Sequence, residues 1–416
     1  MNDAKTILIV GTYDTKQDEL SFIKECILQG GGQVLCMDVS VLGEPQSATD
    51  YSKQDVALAA STSIESIIET GDENTAMQMM ASGASLLATQ LHSQSLFDGV
   101  IILGGSMGTD LALDVCADLP LGVPKYIVST VAFSSMIPAE RLAADIQMIL
   151  WAGGLYGLNA ICKASLSQAA GAVLGAARSV KKPDNDKPII GMTSLGTSAL
   201  TYMVALKPAL EARGFEVAIF HATGMGGRAF ESLASQGAFA CVFDFCTQEL
   251  GNDIHGSSIT AGPTRLTSAG LAGIPQLVAP GCTDLVDVVS TEALPSRWKD
   301  HVTHVHNRLI TSVVLNTDER REVANAIKQQ LAQATAKTTL ILPLAGCGEW
   351  DREGAPLHDA PAYSAFCKQI KQHCPDNVEL MEIDAHINDS AFTDKALAVF
   401  DAWCEDGIVK RSVKGK

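Results

Sequence analysis

The run Val100-Ile-Ile-Leu-Gly-Gly-Ser-Met-Gly-Thr-Asp110 constrains the fold more than any other stretch of this 416-residue chain. A short, wholly apolar segment breaks into three glycines and two hydroxyls, and the apolar pattern resumes as Leu111-Ala-Leu-Asp-Val115. Such a pattern reads as a strand covered on both faces, a tight turn and a helix start. Lacking a Cβ, Gly104, Gly105 and Gly108 leave backbone N–H groups open to approach, while Ser106 and Thr109 bring hydroxyls to the helix start. The turn therefore reads as a phosphate cradle, beside the plainer reading of a tight connection. It is not a Walker A loop, since no Gly-Lys-Ser/Thr closes it, nor the dinucleotide fingerprint, whose glycine spacing it lacks.

Similar strand-then-helix units run along the chain. In the first half, strands are expected at 6–10, 33–39, 99–103 and 125–129. Leu20, Ile23 and Ile27 recur at helical spacing between the first two, before Gly30-Gly-Gly32. A strand–helix–strand connection of that length implies parallel pairing. A helix is expected over 158–180, and the charged, proline-flanked run Lys181-Lys-Pro-Asp-Asn-Asp-Lys-Pro188 reads as a linker. The expected organisation is a domain at 1–182, a linker at 183–188 and a second domain at 189–416. In the second, strands are expected at 189–193, 216–221, 240–243, 276–279, 302–306, 338–342 and 378–383. The segment Gly122-Val-Pro-Lys-Tyr-Ile-Val-Ser-Thr130 resembles Gly273-Ile-Pro-Gln-Leu-Val-Ala-Pro-Gly281, and both read as the fourth strand of a doubly wound unit. Duplication and coincidence both account for that likeness. The fold class is α/β: two Rossmann-like subdomains, each a mainly parallel sheet flanked by helices.

A net charge of −17 disfavours nucleic-acid and membrane surfaces, so any anion site must be built locally. Residues 1–10 carry no secretion signal and no run reaches about 18 apolar residues, which gives a cytoplasmic expectation. Eleven cysteines without a Cys-x-x-Cys pair fit buried free thiols rather than disulfides or zinc.

Ligands of open parallel sheets bind beyond the carboxyl ends of the strands, where strand order reverses. After the first strand, Gly11-Thr-Tyr-Asp-Thr-Lys16 offers Thr12, Thr15, Asp14 as a metal or ribose partner and Lys16 as a phosphate partner. The alternative for Asp14 and Lys16 is an N-cap followed by a solvated first turn, which Lys16 suits better than a phosphate contact. Asp38 follows the second strand, and Ser129 and Thr130 end the fourth, so these loops converge with 104–109 on a nucleotide site. In the second half, Gly224, Gly226 and Gly227 read as a backbone anion nest with Arg228 beside it. His221, His386 and Asp389 end strands and are candidate acid–base groups, with Asn388 or Asp389 orienting the His386 ring. Structural, hydrogen-bonded histidines are the alternative. The metal ligands stay unassigned. No His-Glu-x-x-His or kinase signature is present.

Taken in order, the motifs resemble one family: the ATP-binding N-terminal domain of a tomato mosaic virus resistance protein with its bacterial homologues. The carriers include Gly11-Thr-Tyr-Asp-Thr-Lys16, Asp38-Val-Ser-Val-Leu-Gly-Glu-Pro45, Leu103-Gly-Gly-Ser-Met-Gly-Thr109, Val128-Ser-Thr-Val-Ala132, His221-Ala-Thr-Gly-Met-Gly-Gly-Arg-Ala229, Ala279-Pro-Gly281, Val305-His-Asn307 and Asp384-Ala-His-Ile-Asn-Asp389. The chain departs from the family pattern at Tyr13, Ala144 and Cys347-Gly-Glu-Trp350. The resemblance implies ATP with Mg2+ as ligand, nucleotide loops at 11–16 and 104–109, a homodimer or larger homo-oligomer, and association with a separate barrel-fold protein. The functional expectation is an ATP-dependent enzyme acting on a small anionic metabolite in a cleft between the domains. Its alternatives are a nucleotide-binding regulatory module without turnover, or an assembly module whose nucleotide is structural. Neither nucleic acid nor membrane is expected as a partner.

Overall fold

The computed structural model describes residues 4–181 and 187–411. Two compact units divide at residues 183 and 184. Most of the expected linker, 183–186, lies outside the described residues.

The first unit is built on β1 (Thr6–Gly11), β2 (Gln33–Asp38), β3 (Gly99–Gly104), β4 (Lys125–Ser129) and β5 (Ile146–Leu150), all parallel, in the order β2-β1-β3-β4-β5. Side chains alternate across a strand, and with both faces covered Ile7, Leu8, Ile9 and Val10 are all apolar and buried. Leu8 and Val10 pack into one core with the helices Lys53–Ala59 and Glu73–Ser93, whereas Ile7 and Ile9 pack into the other with Gln17–Gln29 and Ala160–Ser179. Leu20, Ile23 and Ile27, the periodic residues of the first helix, are fully buried. The helix Ala160–Ser179 has the length and composition to cross a membrane, yet Leu166, Ala169, Ala170, Val173 and Leu174 lie in the core of this unit.

The second unit carries β6 (Ile189–Ser194), β7 (Glu216–His221), β8 (Cys241–Cys246), β9 (Gln276–Gly281), β10 (Leu285–Val289), β11 (Thr303–Val305), β12 (Ile310–Val314), β13 (Thr338–Pro343) and β14 (Val378–Ile383). Six of these form a parallel sheet in the order β14-β13-β9-β8-β6-β7. Counting only the strands of each parallel sheet, both sheets run second, first, third, fourth, fifth, and the second sheet adds a sixth. The two likened segments, β4 and β9, are the fourth strands of their sheets. The fold is thus α/β with two Rossmann-like subdomains, in the flavodoxin-type strand order.

Two expectations need correction. The stretch expected at 302–306 is not part of the parallel sheet: β11 is an exposed edge of a small antiparallel sheet, β10-β12-β11. Val302 and Val305 gave it an apolar look, but both are exposed. Residues 146–150, where no strand is expected from the sequence, are β5, the edge of the first sheet, and its residues are half-buried or exposed.

Candidate functional site

In each sheet the strand order reverses between the first and third strands, so the loops leaving β1 and β3, and those leaving β6 and β8, diverge and open a crevice. A cavity of about 590 Å³ occupies this position in the first unit. Thr12, Asp14, Thr15, Lys16, Gly104, Gly105, Ser106 and Gly108 line it together, as expected from the sequence.

Its floor is made by two helix starts. The helix Gln17–Gln29 begins at Lys16 and the helix Ser106–Asp118 at Gly105, and neither N-cap supplies a side-chain hydrogen bond. First-turn N–H groups without a capping side chain, with the positive end of the helix dipole behind them, favour an anion. The Lys16 ammonium stands 3.4 Å from the Thr15 hydroxyl, which is itself 2.9 Å from the Thr12 hydroxyl. A Cβ on Gly104 would lie 2.4 Å from the Gly108 Cα, so Gly104 is required by chain packing. At Gly105 the nearest atom to a Cβ would be the Thr130 hydroxyl at 3.8 Å, so the fold leaves that space open.

Four of the expected nucleotide residues stand behind this surface rather than on it. Asp38 is buried and accepts the Tyr13 amide at 3.2 Å and the Ser40 amide at 2.9 Å, which ties the loops after β1 and β2 together. The Ser40 hydroxyl lies 2.5 Å from Asp38 and 3.0 Å from Asp14, so its one proton serves two carboxylates. Thr109 donates to the Gly105 carbonyl at 2.7 Å, Ser129 reaches Thr109 at 2.7 Å, and the Val131 amide donates to Ser129 at 3.0 Å. This relay pins the glycine turn to the end of β4, and Thr130 adds only its amide bond to Gly104 at 3.3 Å. Thr109, Ser129 and Asp38 Oδ1 hold the loops through these bonds, while the buried Asp38 Oδ2 has no hydrogen-bond partner among the described residues. Asp14 keeps a place on the cavity wall while also accepting the Gly43 amide at 3.2 Å.

The remaining wall was not visible in the sequence. Val41, Leu42, Ile67, Ile68 and Met77 give it an apolar side, and Asp72 and Glu73 add carboxylates at the start of Glu73–Ser93.

In the second unit the expected cluster of Gly224, Gly226, Gly227, Arg228, His221, His386 and Asp389 does not come together. The glycine nest is filled from within, since Glu249 accepts the Gly224 amide at 2.6 Å and the Gly227 amide at 3.1 Å. Arg265 binds Glu249 at 2.9 Å, Glu231 at 3.0 Å and Asp244 at 2.5 and 2.6 Å, all buried. Burial pushes the Glu249 carboxyl above the ordinary range, and the Arg265 guanidinium pulls it back. A Cβ on Gly226 would lie 1.8 Å from the His221 carbonyl, and one on Gly227 1.9 Å from Glu249, so these glycines serve packing. Arg228 lies against the turn at Gly262.

His386 and Asp389 border a cavity of about 610 Å³ together with Arg352, His358, Lys368 and Lys371. Both ring nitrogens of His386 are engaged: Nε2 donates to the Gly348 carbonyl at 2.9 Å, and Nδ1 accepts the Asn388 amide at 3.1 Å and Arg352 at 3.0 Å. Burial holds its pKa below the ordinary histidine value; the Gly348 carbonyl opposes that and the Arg352 cation adds to it. A neutral ring locked in one tautomer is a structural element, contrary to the expected proton-transfer role. Asp389 accepts the His386 backbone amide at 2.9 Å and Arg352 at 3.0 Å and does not orient the ring; the Asn388 amide does.

His221 instead edges a third cavity, of about 510 Å³, at the point where the second sheet reverses strand order. Leu195-Gly-Thr-Ser198 after β6, Gln248 after β8, and Asp287, His306 and Trp350 complete it. Matching the 195–198 loop to 11–16 through the internal repeat would have located it. Arg352, by contrast, sits in a loop that no sequence signal marked.

A UPF0261 protein of Brucella melitensis is 52% identical over 409 residues, covering 98% of this chain and 97% of its own length. One from Clostridium tetani is 35% identical, covering 93% and 96%. The ToMV resistance protein Tm-1(GCR237) of Solanum lycopersicum is 27% identical over 99% of this chain, which spans 57% of the tomato protein. Among solved structures, the glycosyltransferase SnogD from Streptomyces nogalater covers 95% of this chain and 100% of its own at 12% identity with a TM-score of 0.21. MurG of Acinetobacter baumannii covers 96% and 99%, also at 12% identity and a TM-score of 0.21. Likeness at that level carries no functional argument. The N-terminal and C-terminal domain models of the Uncharacterised protein family (UPF0261) match residues 5–182 and 187–404, and the chain belongs to that family.

Proposed function

We propose that the first unit binds ATP with Mg2+ and that the chain is an ATP-dependent enzyme acting on a small anionic metabolite. The observation that carries the nucleotide reading is the pair of helix starts at Lys16 and Gly105, uncapped by side chains and lining one cavity with the Lys16 ammonium. The triphosphate takes that floor, and the apolar side around Ile67, Ile68 and Met77 takes the base. Its volume suits a ligand of that size. Mg2+ keeps most of its waters and needs one or two carboxylates besides phosphate oxygens, so Asp14 on the wall fits it, and the ion would neutralise phosphate charge. The anionic metabolite is assigned to the cavity ringed by Arg352, Lys368, Lys371 and His358 rather than to the filled glycine nest.

The locked His386 favours a second reading, nucleotide binding without turnover, because it removes the obvious proton-transfer group. Calorimetry with ATP and Mg2+, followed by an assay of phosphate release with and without a pool of small carboxylates and phosphates, tests both. Binding with release supports the enzyme, binding without release the regulatory reading, and absence of binding overturns both. We further propose that the open edge of β5, with Leu150 exposed on it and Phe133 exposed beside Ile146 and Met148, forms a homodimer contact. A monomer mass by light scattering at micromolar concentration overturns that proposal.

A further inference from the structure

Neighbouring strands β9 and β13 of the second sheet end in loops that bring Asp284, Cys347 and Asp351 together. The Cys347 sulfur is 3.4 Å from Asp284 Oδ1 and 3.7 Å from Asp351 Oδ2, and one ligand atom from each residue falls within 4.8 Å of the other two. An ion with tetrahedral bonds of about 2.0–2.3 Å keeps its ligands roughly 3.3–3.8 Å apart, so the two measured edges suit such an ion.

Burial makes the cluster costly as it stands. Cys347, Asp284, Asp351 and the adjacent Arg320 are each at most 1% exposed. Asp284 Oδ2, Asp351 Oδ1 and both terminal nitrogens of Arg320 lack a hydrogen-bond partner among the described residues. Arg320 is anchored through Nε to the Leu315 carbonyl at 3.0 Å, and its Nη1 faces Asp351 at 3.7 Å. One guanidinium cannot balance two buried carboxylates, and unpaired buried charge is strongly unfavourable. Two carboxylates and a thiolate, set against one guanidinium and one divalent cation, are neutral.

We propose that Asp284, Cys347 and Asp351 hold a divalent transition-metal ion of the zinc class, with the fourth position left to water or a small ligand. Sulfur with oxygen donors selects such an ion over Mg2+ or Ca2+, which prefer oxygen alone. Binding releases the thiol proton as the Cys347 sulfur takes the metal. Arg320 offsets the excess negative charge from behind Asp351. The ion is separate from the Mg2+ assigned to the first unit and does not depend on the nucleotide reading.

The test uses the full chain, purified without chelator. Elemental analysis is expected to find about one ion per chain, and reloading with Co2+ is expected to give the near-ultraviolet band of a thiolate–cobalt bond. Cys347→Ser should abolish the band, and the near-isosteric Asp284→Asn should weaken retention at least about tenfold. Thermal melts of the unaltered chain with added Zn2+ against excess chelator keep the test independent of whether the variants fold, and stabilisation by Zn2+ is expected. Absence of stoichiometric ion and band from the Co2+-loaded chain, a band that survives in Cys347→Ser, or melts indifferent to Zn2+ and chelator would each overturn the proposal.

Discussion

The Glu249 carboxylate accepts the Gly224 amide at 2.6 Å, so the glycine turn after β7 already has its anion, supplied by the chain itself. Seen as sequence, this turn and the one at Gly104–Gly108 are near equals. What separates them is a carboxylate that arrives from 25 residues further along.

Arg265 is the residue on which that arrangement depends. Replacing it in Arg265→Leu leaves Asp244, Glu231 and Glu249 buried without their shared cation, and destabilisation of about 3–5 kcal/mol is expected. Glu249→Gln retains an oxygen for the Gly224 amide and should cost less, about 1–3 kcal/mol. Chemical denaturation of both variants measures the order. If Glu249→Gln proved the more damaging, the guanidinium would not be the centre of the network.

The first-unit turn gives the opposite contrast. Gly104→Ala sets a Cβ 2.4 Å from the Gly108 Cα and should disrupt the turn, whereas Gly105→Val faces open space in the fold and the proposed phosphate position in the complex. Circular dichroism should show Gly105→Val folded, and calorimetry should show its ATP affinity reduced at least about a hundredfold, some 2.7 kcal/mol. Unchanged affinity in the folded variant removes the nucleotide from this turn.

The parts of the molecule legible in the sequence are those fixed by local pattern. The apolar runs at Thr6–Gly11 and Gly99–Gly104, and the Leu20/Ile23/Ile27 stripe, each report burial directly through their spacing. The loops gathered by strand order were legible for the same reason, since parallel connections put strand ends on one edge. Partner assignment was not. Ser129 looks like a ligand group until Thr109 is seen to use it, Oδ1 of Asp38 is taken by Tyr13 and Ser40, and His386 looks like an acid–base group until Gly348, Asn388 and Arg352 occupy its nitrogens. Those bonds join residues up to 38 positions apart, beyond the range of any periodicity.

Arg352 should be the main anion contact of the cavity it shares with Lys371. Its Nε reaches Glu349 at 3.0 Å and its Nη1 reaches Asp389 at 3.0 Å, which holds the guanidinium in place at the cavity wall. Arg352→Gln is expected to weaken binding of inorganic phosphate or succinate at least about tenfold, roughly 1.4 kcal/mol, with ATP affinity unchanged. Calorimetry in which the variant binds both probes as tightly as the unaltered chain would move the anion elsewhere.

Replacing Arg352 should also change how His386 titrates. Burial and the Arg352 cation hold the ring's pKa in the folded chain below the ordinary value near 6.5, so the folded state favours the neutral form. The unfolded chain binds the extra proton first as pH falls. The contribution of His386 to stability is therefore full above pH about 6.5 and is lost as pH drops through the lower, folded-state value. Protonation also forfeits Nδ1 as the acceptor of the Asn388 amide. In nitrogen-detected NMR, His386 should remain the Nε2–H tautomer down to below pH 6.5, and in Arg352→Gln its titration should move upward as one cation leaves. A ring in the unaltered chain that titrates at or above the ordinary value, or carries its proton on Nδ1, would contradict the locked geometry and reopen His386 as a proton-transfer group.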